Sequence, residues 1–234
     1  MKLEDGLEIY RRYDPKFWDF TLEVEKSAGE MAQLLVDDGY QPTPNVLTAA
    51  RDLLIDIERW KAGCIEELTG HYAVQNSERD VWNAFQSALR AHTDREAILS
   101  IMLPLKGFGS SRDEQGQHSA KRASAVLRMF KPEEWGVVDW RTVAMLNLLN
   151  NTKWDVDAAM KLAQKQDFRA IYKDVPINEN AAIEHNQMYR DRVTSSLRRT
   201  ADVEMAIFGL TFKVWPFKGG LSISGSCIPA SSTV

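Results

Sequence analysis

Residues 121–141 read KRASAVLRMFKPEEWGVVDWR, and the reading of the chain turns on them. The stretch opens as a helix over Ala120–Phe130, passes a proline-marked turn, runs through Val137-Val138 and meets a lone acid, Asp139. A carboxylate seated among hydrophobic residues is costly unless something compensates it. Two explanations are open. Asp139 caps a helix that begins at Trp140 or Arg141, or its position has chemical value.

Outward from this stretch, helical signals dominate. From Pro15 to about Asp38, Phe17, Phe20, Val24, Met31, Leu34 and Leu35 recur at helical spacing, and Asp37-Asp38-Gly39 stops the run. Thr43 caps a helix started by Pro44 and running to about Thr69. Ser77 caps a helix carrying Val81, Trp82, Phe85 and Leu89. Thr93, with Glu96 at the capping-box position, opens another with Ile98, Ile101 and Met102 on one face. Beyond the opening stretch, helices fit Arg141–Leu149, Val156–Lys165, Glu179–Arg199 and Asp202–Leu210. Only Thr211–Phe217 hints at strand alternation. The tail, 219–234, is rich in Gly, Ser and Pro and reads as flexible. The expectation is an all-α fold over residues 1–218, a single helical domain of two lobes around a central cleft.

Composition narrows the class. The chain has 234 residues, 44% hydrophobic and 26% charged, a balance typical of globular proteins. No apolar run approaches the roughly 18 residues that span a bilayer, and the acidic, polar start is unlike a secretory signal. The two cysteines, Cys64 and Cys227, lack metal-ligand spacing, which favours a reduced, cytoplasmic protein. A net charge of −4 argues against coating nucleic acid non-specifically, because phosphate binding is largely electrostatic. A local basic face remains compatible with it. Arg190, Arg192, Arg198 and Arg199 cluster late, and Lys121, Arg122, Arg128, Lys131 and Arg141 cluster around the opening stretch.

Leu105-Lys106-Gly107-Phe108-Gly109 lies at a helix end, and glycines there let the backbone turn and bring N–H groups close to a phosphate. Lys121 stands two before Ala123, and Asp139 stands 18 after Lys121, behind Val137-Val138. Together these resemble the helix-hairpin-helix DNA glycosylase superfamily: a Leu-Pro-Gly-Val-Gly hairpin, a Lys-x-Ala helix and a spaced Val-Asp. The resemblance covers about Trp82 to Leu149. Lys106 stands where the family has proline, and SSRDEQGQHS, residues 110–119, separates the hairpin from the lysine helix. No four-cysteine iron–sulfur motif accompanies it.

The resemblance implies a glycosylase that excises a damaged or modified base from double-stranded DNA, as a monomer and without a cofactor. It assigns Asp139 the catalytic carboxylate and Lys121 the nucleophile of an additional abasic-site lyase step. Lys106, Gly107, Phe108, Gly109, Arg122 and Arg141 would meet DNA, and Trp82, Trp135 and Trp140 are candidates for the base pocket. The chemistry is consistent. Breaking an N-glycosidic bond passes through a cationic sugar that a carboxylate stabilises, a lysine attacks only when neutral, and the target base must leave the duplex. The alternative is a DNA-binding module that keeps the hairpin but not the chemistry. On the residues alone, Lys121 also reads as a solvated first-turn lysine and the tryptophans as core anchors. His71, His92, His118 and His185 read as structural or surface residues.

Overall fold

A computed structural model describes residues 1–64, 72–109, 120–167, 170–171 and 177–216. Among these residues the regular structure is helical, as the sequence predicts, with no strand. The N-terminal helices are α1 (Leu3–Tyr13), α2 (Pro15–Val36) and α3 (Pro44–Lys61). A 3-10 turn (Ala73–Gln75) precedes α4 (Glu78–Arg90) and α5 (Asp94–Met102). Then come α6 (Lys121–Phe130), α7 (Trp140–Asn151), α8 (Val156–Ala163), α9 (Glu179–Arg190) and α10 (Thr200–Val214).

The starts obey local chemistry. Asp14 accepts from the Phe17 amide at 3.1 Å ahead of Pro15, Ser77 from the Asp80 amide, and Thr93 and Glu96 form the expected reciprocal box. Each satisfies amides that a helix start leaves without an internal partner. Thr43 precedes α3 but makes no side-chain cap bond.

One contiguous apolar core runs from Leu7 to Trp215. Helices α6, α7 and α10 are its centre, buried on nearly every face: Ala123 to Met129, Thr142 to Leu146, and Val203 to Ile207 are inaccessible or nearly so. The amphipathic helices α2, α3 and α5 pack against α6, and α4 packs against α2, α3 and α5.

Three boundaries differ from expectation. The helix expected over Glu179–Arg199 ends at Arg190. Beyond it the Thr194 hydroxyl accepts from the Ser196 and Leu197 amides, and Thr194 N–H donates to Leu197 O. These short-range bonds offer the backbone an alternative to the helix. The helix expected over Asp202–Leu210 continues to Val214, so residues 211–214 are helical rather than extended; burial of Thr211 and Phe212 against the core outweighs their strand propensity. Helix α3 stops at Lys61. Its expected extension toward Thr69 falls partly outside the described residues, as do His71, His118, the 110–119 insertion, Cys227 and the 219–234 tail.

Helix α1 is an addition to the sequence reading. It packs along α10, where Gly6 and Gly209 face each other so closely that a Cβ at Gly6 would overlap Ala206 O and one at Gly209 would overlap Gly6 O.

Candidate functional site

The site is built on a buried connection. Between α6 and α7, residues 136–138 run through the core without a ladder of their own, so side chains satisfy their amides. Gly136 N–H donates to Asn186 Oδ1 (3.0 Å) and Val138 N–H to Ser124 Oγ (3.0 Å). Tyr189 O–H donates to Val137 O (3.2 Å), and Glu204 accepts from the Val137 amide. Helices α6, α9 and α10 thus fix the segment that delivers Asp139.

Asp139 is the N-cap of α7. Its Oδ1 accepts from the amides of Arg141 (2.9 Å) and Thr142 (3.1 Å), while Thr142 Oγ1 accepts from the Asp139 amide (3.1 Å). The second oxygen, Oδ2, accepts from Lys61 Nζ at 2.9 Å. Burial pushes the Asp139 carboxyl up, but the charge and hydrogen bond of Lys61 and the two amides outweigh it and hold the group below the ordinary carboxylate range. The carboxylate is therefore ionised at neutral pH. Sequence reasoning missed Lys61, the last residue of α3. It stands 78 positions from Asp139, and no local pattern marks it.

Next to Asp139, Trp140 is exposed, at 42%. The ammonium of Lys121, the first residue of α6, lies 3.4 Å from the centroid of its ring, a cation–π arrangement. The structure thus brings Asp139, Lys121 and Trp140 together at the start of α7 and adds Lys61.

The other expected site residues divide. Gly107 and Gly109 have φ of +79° and +114°, as a glycine turn requires, and both are buried. The Asn76 side chain holds this turn through Lys106, accepting from its amide at 2.8 Å and donating to its carbonyl at 3.2 Å. The Lys106 side chain is exposed. Phe108 is not: its ring is fully buried, and it anchors the turn to the core rather than facing a partner. Arg122 also turns inward, donating to Gly107 O (3.1 Å), lying over Tyr72 and reaching Glu58. Arg141 is tied to α10, through Thr211 Oγ1 (3.4 Å) and the Trp215 carbonyl. Trp82 and Trp135 are core residues, 2% and 0% exposed, and present no ring face on which a base could stack.

The arginine clusters are largely neutralised. Arg128 is fully buried against Glu25 (2.6 Å), which also meets Arg199 (2.8 Å). Arg190 forms a two-pronged pair with Asp94. Arg192 covers Trp154, and Arg198 is exposed. Beneath the site, burial pushes the Glu204 carboxyl up to about 8, with Arg128 and Lys61 pulling it down and Asp139 pushing it up. Among the described residues, no group of three or more His, Cys, Asp or Glu side chains could hold a metal ion, and no helix is long and apolar enough to cross a membrane.

The chain matches no family model, no curated protein and no solved structure. Any functional reading rests on the geometry above and on the sequence pattern.

Proposed function

We propose that the chain is a DNA glycosylase that removes a damaged or modified base from duplex DNA. The observation that carries the proposal is the grouping at the start of α7. An ionised carboxylate, Asp139, is flanked by the ammonium of Lys61 and is adjacent to an exposed indole that carries the ammonium of Lys121.

Each part suits the reaction. Asp139 offers negative charge where a cationic sugar would develop, close to low-dielectric surroundings that strengthen its effect. Trp140 offers an aromatic face of the kind on which an extruded base stacks. Lys121 and the exposed Lys106 side chain offer positive charge to the phosphate backbone despite the net negative chain. The hairpin glycines support the reading through the turn they permit.

A specific observation favours a second reading, a DNA-binding module without chemistry. Both oxygens of Asp139 already have partners, Oδ1 in the helix cap and Oδ2 on Lys61. Duplexes carrying oxidised, alkylated or deaminated bases, incubated with the protein and then heated in alkali, separate the two. Strand breaks at one modified base support the glycosylase. Duplex binding without breaks across the panel supports the module.

A further inference from the structure

We infer that the site takes a neutral base that departs as an anion and rejects cationic, N-alkylated bases, and that Lys121 sets this choice. The inference deepens the glycosylase reading and rests on it.

The arrangement around Trp140 carries it. This indole is 42% exposed, and the Lys121 ammonium lies 3.4 Å from its ring centroid. Trp82 and Trp135 are buried in the core, so of the three tryptophans near the site only Trp140 presents a surface to a base. An aromatic face attracts positive charge through its quadrupole. Once one ammonium sits on the ring, a second cation brought onto the same ring meets the repulsion of the first at close range. A neutral base suffers no such repulsion and keeps its dispersion contact with the indole.

Charge around Asp139 points the same way. Lys61 pairs with the carboxylate at 2.9 Å, Lys121 lies over the neighbouring indole, and Arg141 is close enough for the Asp139 charge to act on it. Three cations thus accompany one carboxylate. The Glu204 carboxyl beneath them keeps its proton up to about 8 and adds no negative charge at pH 7. A positive base entering this field is disfavoured, and negative charge developing on a departing base is favoured.

The step balances as follows. Water forms the new bond to C1′ as the N-glycosidic bond breaks, and the bonding electrons leave with the base as its ring-nitrogen anion. The proton that the water gives up ends on that anion, so the products are an abasic sugar and a neutral free base. A cationic base leaves as a neutral molecule. The Lys121 ammonium therefore opposes its entry and gives it no help in leaving.

The test uses the full chain and single-turnover release from duplexes that carry one uracil, one 5-formyluracil, one 8-oxoguanine or one 7-methylguanine. The last of these bases is cationic. Each rate is divided by that base's spontaneous loss in the same buffer. The enhancement for at least one neutral base is expected to exceed that for 7-methylguanine by at least about tenfold. Lys121→Gln should narrow this gap at least about tenfold, and Lys121→Arg, which keeps a cation for the ring, should preserve it. Both kinds of duplex are measured on one preparation, so a loss of folded protein lowers both rates together and leaves their ratio unchanged. An equal or greater enhancement on 7-methylguanine, or a gap that Lys121→Gln leaves as it was, overturns the inference and leaves the glycosylase reading standing. Release from none of the duplexes overturns that reading, and the inference with it.

Discussion

A carboxylate one residue ahead of a helix accepts the first free amides whatever else it does, and Asp139 does so with one oxygen. Its cap was legible in the sequence, because an acid followed by a helical run is a local signal. Its ion pair was not, because Lys61 reaches it from the end of α3, 78 positions away in the chain. The hairpin shows the same division. Glycines at 107 and 109 were readable as a turn, yet which of the turn's side chains face outward depends on Asn76, Tyr72 and Arg122, which arrive from other parts of the chain. Gly107→Ala tests this at one residue. The positive φ disfavours any side chain, and the new Cβ would overlap the Tyr72 ring. The substitution should cost about 1–3 kcal/mol, read as a lowered midpoint in urea. A midpoint equal to that of the parent would mean that the turn has another conformation.

Among the elements, α6 and α7 were foreseen because their apolar positions and flanking signals lie within the segment itself. Helix α1 was not, although Leu3, Leu7 and Tyr10 share a face. Its stability comes from α10, through a crossing where glycines let two backbones meet. Glycine inside a helix normally costs up to about 1 kcal/mol relative to alanine, so both positions are explained by proximity. Gly209→Val should lower the thermal midpoint by several degrees, since forcing even a few methyl groups into a packed contact costs about 1–3 kcal/mol. Gly29→Ala is the control. That glycine lies within α2 with nothing near its Cβ position, and the change should stabilise slightly, by up to about 1 kcal/mol. Equal effects at the two sites would contradict the close crossing. The misplaced ends of α9 and α10 have a related cause: Thr194 diverts the backbone locally, and the core extends α10 past the point where its sequence looks helical.

Across the whole molecule, buried charge sets the response to pH. Glu204 holds its proton up to about pH 8 in the folded chain against 4.5 for the free group. The folded state therefore binds a proton that the unfolded state has lost, so this group's contribution to stability falls as pH rises through that window. Glu204→Gln should flatten the fall in thermal midpoint between about pH 5 and about pH 8; an unchanged slope would place the titration elsewhere. Asp139 works in the opposite direction. Its lowered value contributes stability above the ordinary 3.8, lost as acid protonates the folded group. The same removal of charge tests the proposed chemistry, because asparagine is as good an N-cap as aspartate, and Asp139→Asn keeps the helix start while deleting the negative charge. On a modified-base duplex that the parent protein processes, single-turnover base release by Asp139→Asn is the decisive measurement. The glycosylase account predicts a fall of at least about a hundredfold with duplex affinity little changed. Release at the parent's rate would contradict it and leave Asp139 as a helix cap alone.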